Sequence, residues 1–254
     1  MKNTKDPTYR GLFSSDWNEC LAPCGPFDVI AYHYPDLSEE LSRIFKHYTG
    51  NEISLGQAAG QINQLLPAPI TQIQMDTYLK SSFRCYTGVR SLIDWCRDHD
   101  VLFMINTTGA IGYFQRALAL GLLPPIPILS AHPAIRFPDS SEDPGQVFEL
   151  FEIQDKTRNT LAAARAFGIP LKRIMIMGDS GGDGPHFQWG NSVGASLVGS
   201  MTKNSLETYC REHGIPIDHR IGPTYQRGDR AEIEREMDVD FSGLIPFVTE
   251  RLSL

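Results

Sequence analysis

No run in this 254-residue chain approaches the roughly 20 consecutive apolar residues that a bilayer-spanning helix needs. The opening, Met1 to Arg10, is polar and lacks the apolar core of an export signal, so a soluble protein of the cytoplasm, without membrane contact, is expected. Cysteine is scarce. Five in the whole chain make no disulfide framework, and Cys20 and Cys24 have no second nearby pair for a zinc site, so reduced thiols are expected. A basic excess is missing too: 23 Lys and Arg stand against 30 Asp and Glu, for a formal charge of −7. The cations are dispersed rather than gathered in a stripe, which argues against nucleic acid as a partner. The 22 Gly and 17 Pro follow no collagen-like or low-complexity period, and no sustained heptad points to a protein partner.

What the chain does have is apolar content, 41% of residues, enough to bury a substantial core. Short apolar runs alternate with helical spacing. Gly11-Leu12-Phe13 reads as a buried strand that delivers Asp16 into a loop, and Val101-Leu102-Phe103-Met104-Ile105 as a second strand ending at Asn106-Thr107-Thr108-Gly109. Arg173 to Met177 reads as a third, followed by the Gly-rich loop Gly178 to Gly184, while Ile128 and Leu129 suggest an intermediate strand. Ala131 to Gly145, with His132, three prolines and an acidic run, reads as a surface loop. Helical spacing covers Leu37 to Tyr48, Leu55 to Leu66, Ile70 to Phe83, Val89 to Cys96, Tyr113 to Leu118 and Asp155 to Phe167. The pattern predicts an α/β fold, a Rossmann-like, mainly parallel sheet flanked by helices. Residues 1–24 and 87–254 would form the core domain and residues 25–86 a small helical cap; a single compact domain without a movable cap is the alternative.

Polar groups gather where such sheets bind ligands, at the C-terminal ends of strands. Asp16 has the chemistry of a nucleophile toward phosphorus, or of a turn cap. Asp179 and Asp183 suit a hard cation such as Mg²⁺, or a Gly-rich turn. Thr107 can donate to a phosphoryl oxygen and Lys156 can supply positive charge beside it; each is otherwise an ordinary strand-end or surface residue. The Gly-rich loop lacks the three-glycine dinucleotide pattern and the lysine placement of a phosphate loop. His186 either contacts a ligand or packs near Trp189, and Cys20 has no local histidine to activate it. An acidic protein can still bind a small phosphorylated metabolite if a divalent cation bridges the two.

The order Asp, Thr, Lys, acidic Gly-rich loop resembles that of the haloacid-dehalogenase-like superfamily, particularly its phosphatases with a helical cap after the first catalytic loop. Phe13 to Asn18 is similar to the first motif, Phe103 to Gly109 to the second, Lys156 to the third and Gly178 to Asp183 to the fourth, and the resemblance spans about Leu12 to Leu197. It implies Mg²⁺-dependent hydrolysis of a small phosphorylated substrate through a phospho-aspartyl intermediate on Asp16. Thr107 and Lys156 would orient the phosphoryl oxygens, and Asp16, the Asn18 main-chain carbonyl, Asp179 and Asp183 would hold or support the metal. Thr108 and Arg84 are candidate substrate contacts, with Tyr78 and Tyr86 on the same cap face.

The first motif departs from the phosphatase pattern. Asn18 stands where an acid/base Asp is usual, and Glu19-Cys20 replaces a small-plus-hydroxyl pair. An amide cannot cycle a proton, and losing positioned acid/base chemistry costs roughly 10²- to 10⁴-fold in rate. Slow turnover, a different acid, a preference for good leaving groups, or a catalytically impaired phosphate-binding or interaction protein all follow from that substitution.

Overall fold

The computed structural model describes residues 9–49 and 52–252; most of the polar opening read from the sequence, residues 1–8, lies outside them. Seven strands form one parallel sheet: β1 (Gly11–Ser15), β2 (Val101–Ala110), β3 (Ile128–His132), β4 (Gln146–Glu149), β5 (Ile174–Gly178), β6 (Ser196–Ser200) and β7 (His219–Ile221). Their spatial order is β4-β3-β2-β1-β5-β6-β7.

The apolar runs are continuous because both faces of the sheet are covered, as parallel sheets require. Leu12, Leu102, Met104, Ile174 and Ile176 enter one buried cluster, whereas Phe13, Phe103, Ile105, Met175 and Met177 enter the other. The register makes this alternation coherent: Phe13 lies beside Phe103 on one side and Met175 on the other. One cluster is closed by α7 (Asp155–Ala166), α8 (Gly184–Val193) and α9 (Asn204–Glu212), through Ala163, Phe187 and Leu206. The other is closed by α5 (Val89–Asp98), α6 (Ile111–Ala119) and α11 (Ile245–Leu252), through Leu92, Phe114 and Val248. The short α10 (Ile233–Met237) lies between β7 and α11.

Between β1 and α5 stand α1 (Asp28–His33), α2 (Ser38–Thr49), α3 (Leu55–Leu65) and α4 (Gln72–Ser82). The three helices expected between residues 37 and 83 are present, and α1 adds a turn and a half before them. Ser54 with Gln57 and Thr71 with Gln74 form capping boxes that start α3 and α4, so the orphan amides at both N-termini are satisfied locally. Ala58, Ile62 and Met75 of this insertion share a cluster with Phe13 and Phe103 of the sheet. No described helix is long and apolar enough to cross a membrane.

The expected loop from Ala131 to Gly145 begins two residues late, because Ala131 and His132 belong to β3. The strand continues there because β2 carries a register shift between Asn106 and Ala110 that lets Ala110 pair with His132. Chain connections leave β1 toward β2 on one side, while β5 returns on the other. The crevice beyond the ends of β1 and β5 is therefore the switch point where doubly wound sheets bind ligands.

Candidate active site

Asp16 follows β1 directly, and its amide donates to the Met177 carbonyl at 3.0 Å, extending the β1–β5 ladder by one residue. That fixes the backbone from which the carboxylate projects. Its Oδ1 accepts the Trp17 amide at 2.7 Å, and its Oδ2 lies 3.2 Å from the Lys156 ammonium. Lys156 sits in the first turn of α7, 2% exposed, and donates to Asp183 Oδ1 at 2.6 Å. Burial opposes its charge, but Asp16 and Asp183 outweigh that and hold its pKa above the ordinary lysine value. Asn106 anchors this helix to β2 by donating to the Lys156 carbonyl and to Thr160 Oγ1, both at 2.9 Å.

Asp183 faces the turn after β5. Its Oδ2 accepts the amides of Asp179 at 3.0 Å and Ser180 at 3.3 Å, which shapes the Gly-rich loop around its own carboxylate. Gly178 makes room for this; a Cβ there would stand 2.4 Å from the Asp183 carboxyl carbon. Asp16, Asp179 and Asp183 are all buried, with candidate ligand oxygens within 4.8 Å of one another. Burial raises the Asp16 carboxyl, with Lys156 opposing and Asp183 adding to the rise. Asp179 is pushed up to about 8, by burial first, while Lys203 pulls it down.

Lys203 was not singled out from the sequence. Its ammonium lies 2.9 Å from Asp179 Oδ2 and also bonds Glu19, while its amide donates to the Asp179 carbonyl at 2.7 Å. The signal was its place: it follows the apolar Ser196–Ser200 run, at the end of the strand next to β5. Glu19 reaches this lysine from a left-handed turn, φ 57°. Four carboxylates (Asp16, Glu19, Asp179, Asp183) thus surround two ammonium groups, leaving two negative charges in excess when all are ionised. Hard oxygen donors with that excess fit one divalent cation such as Mg²⁺.

Thr107, on the irregular end of β2, donates its hydroxyl to Asn18 Oδ1 at 3.1 Å and adjoins Asp16. The Asn18 amide donates to the Cys24 carbonyl at 3.1 Å. Both ends of the Asn18 side chain are therefore engaged by neutral groups. Thr108 lines the cavity and contacts the Tyr48 hydroxyl, whose pKa burial pushes up to about 12. This cavity, about 560 Å³, is lined by Asp16, Asn18, Lys156, Asp179 and Lys203, with Phe45 and Tyr48 reaching in from α2.

Other residues fall elsewhere. Arg84 is exposed and is not among the cavity-lining residues; Tyr86 is buried, stacked on Phe241, and donates to Glu236 Oε2 at 2.6 Å. Tyr78 is buried beside a small recess that it shares with Asn18 and Tyr113. His186 packs on Trp189, with its Nε2 3.0 Å from Thr160 Oγ1, and burial lowers its pKa to about 3, so it stays neutral. All five cysteines are free thiols. Burial holds Cys20 well above an ordinary thiol and pushes Cys24 up to about 12, opposite to what a thiolate nucleophile needs.

No protein-family model matches the sequence, and no curated protein does. Solved structures do. A phospho-aspartyl intermediate analogue of phosphoserine phosphatase superposes with a TM-score of 0.65 at 16% identity, covering 94% of this chain and 99% of that one. A probable phosphoserine phosphatase from Vibrio cholerae, in unliganded form, gives 0.62 at 15% identity over 99% of this chain and 68% of that one. A HAD family hydrolase from Salmonella enterica subsp. enterica serovar Typhi gives 0.61 at 13% identity over 84% and 67%. This chain therefore shares its fold with these phosphoserine phosphatase and HAD family hydrolase structures, and its own three buried aspartates lie at the switch point of the sheet.

Proposed function

We propose that the protein is a Mg²⁺-dependent phosphomonoester hydrolase that acts on a small phosphorylated metabolite through an aspartyl phosphate on Asp16. The observation that carries this reading is the meeting of Asp16, Lys156, Asp179 and Asp183 at one strand-end crevice, with Asp16 3.2 Å from a lysine that is itself buried. Asp16 attacks phosphorus, the ester oxygen departs, and water then cleaves the acyl phosphate and returns the carboxylate. Lys156 and Thr107 orient the phosphoryl oxygens. Asp16, Asp179 and the Asn18 main-chain oxygen would hold Mg²⁺, with Asp183 supporting it, and the cation would offset the charge of the phosphoryl group. Residues 25–86 serve as the cap that excludes water and shapes selectivity, and Thr108 contributes to substrate contact.

One observation favours a second reading. Asn18 is engaged by Thr107 and Cys24 and offers no proton at the position where the resemblance implies an acid, so a phosphate-binding protein with impaired turnover fits the same scaffold. Phosphate release from an activated aryl phosphate and from several alkyl phosphomonoesters, with and without Mg²⁺, separates the two. Turnover is expected in the wild type with Mg²⁺ and not in Asp16→Asn. Asn18→Asp should improve the alkyl esters more than the activated ester, by up to roughly 10²-fold. Metal-dependent phosphate binding without release in either protein supports the second reading.

A further inference from the structure

Resting on the hydrolase reading, we infer that the natural substrate class is an aryl phosphomonoester whose far end is cationic. Three features of the cavity converge on it. The first is the leaving group. Asn18 is held between Thr107 and Cys24 and cannot protonate a departing oxygen, which penalises an alkoxide. A phenoxide, with a conjugate acid near pKa 10, departs with far less assistance.

Shape is the second. At about 560 Å³ the cavity is far larger than a phosphoryl group, and it runs along one stripe of α9: Asn204, Ser205, Thr208, Tyr209 and Glu212 all line it. From the first to the last of these, α9 advances about 12 Å, close to the length of a phosphorylated phenyl ring with a short tail. The walls beside that path are aromatic and held in place. Phe45 packs edge-on against Phe27 and lies beside Tyr48, while Tyr209 stacks on His213 with ring centroids 4.1 Å apart and donates its hydroxyl to Gln188. Gly184 leaves space for the Tyr209 ring, since a Cβ there would lie 2.6 Å from it. Flat apolar walls of this kind suit a ring by offset or edge contact.

Charge is the third. Among the described residues lining the cavity the cations are Lys156 and Lys203, and each is already shared between two carboxylates, Asp16 with Asp183 and Glu19 with Asp179. A substrate carboxylate would meet no unshared positive charge. The far end instead carries the exposed Glu212, the last residue of α9, at the negative end of the helix dipole. An ammonium is matched there, and the aromatic walls favour a cation as well.

The test compares two aryl esters that share the same two-methylene spacer. O-phosphotyramine carries an ammonium tail, and the phosphate ester of 3-(4-hydroxyphenyl)propanoate carries a carboxylate tail; O-phosphoserine serves as the alkyl control. We expect kcat/KM for phosphotyramine to exceed that for the propanoate ester by about tenfold or more, and phosphoserine to be the poorest. Glu212→Lys, on an exposed helix end, should collapse or invert the ratio between the two aryl esters. Calorimetric binding of the same ligands to Asp16→Asn keeps the hydrolase reading separate. The same tenfold preference in binding without turnover in the wild type supports the cavity assignment while rejecting the hydrolase reading. Equal or reversed preference between the aryl esters, in turnover or binding, overturns the inference, as does phosphoserine turned over faster than either.

Discussion

Gly178 and Asp183 show how tightly single residues set this site. The Asp183 carboxylate accepts two loop amides with one oxygen and Lys156 with the other, so its position sets that of the ammonium beside Asp16. Gly178→Ala places a Cβ 2.4 Å from the Asp183 carboxyl carbon and must displace it. We expect a stability loss of about 1–3 kcal/mol from overpacking and a fall in kcat/KM of roughly 10²-fold, read by denaturant unfolding and phosphate release. Unchanged kinetics would mean that Asp183 does not position Lys156. His186, buried and within electrostatic reach of Lys156 and Asp183, makes stability depend on pH. Its pKa falls from 6.5 to about 3 on folding through burial, so its contribution to stability is complete above pH 6.5 and declines as pH drops toward 3. Between those limits the unfolded chain holds the extra proton, and this one group adds a slope of at most about 1.4 kcal/mol per pH unit. His186→Gln, neutral and able to bond Thr160, should flatten the acid limb of a stability–pH curve; an unaltered slope would assign acid sensitivity to other groups.

Among the elements, α3 is tied to the segment between β4 and α7 by its own N-terminus. The amides of Leu55 and Gly56 donate to the two oxygens of Glu152, at 3.0 and 3.2 Å, which satisfies two orphan donors and sets a negative charge at the positive end of the helix. Arg116 of α6 adds a bidentate pair with Asp76 of α4. Glu152→Ala should cost about 1 kcal/mol locally and speed hydrogen exchange at Leu55 and Gly56 by about fivefold. Because the insertion forms one wall of the cavity, kcat and KM should change together. Protection left intact at those amides would show that the insertion is held by packing alone. The same scale explains what the sequence made legible. Helices α2 to α4 declare themselves by 3.6-residue spacing, and β1, β2 and β5 by short apolar runs beside polar strand ends. Strands β4 and β7, at the sheet edges, have four and three residues and only partial burial, so no apolar run marks them. Asp16, Thr107, Lys156, Asp179 and Asp183 could be placed together because each follows a readable strand or opens a readable helix. Lys203 and Tyr48 escaped for a different reason: one is a lone lysine after a short strand whose apolar run is only Leu197-Val198, the other a helix aromatic whose spacing serves the core equally well.

At the scale of the whole molecule, an acidic chain of net charge −7 concentrates four carboxylates and two lysines at the centre of its sheet. Burial alone would make such a cluster costly. The arrangement becomes favourable if its excess negative charge is there to receive a divalent cation and, through it, a phosphoryl group. The proposed chemistry centres on the Asp16 carboxylate, which takes the phosphoryl group in a metal-dependent step. The most direct measurement is intact-protein and peptide mass spectrometry of acid-quenched enzyme after brief mixing with an activated aryl phosphate and Mg²⁺. A phosphoryl adduct on Asp16 is expected, absent without Mg²⁺ and absent in Asp16→Asn. Phosphate release at full rate from Asp16→Asn, or an adduct on any other residue, would contradict it.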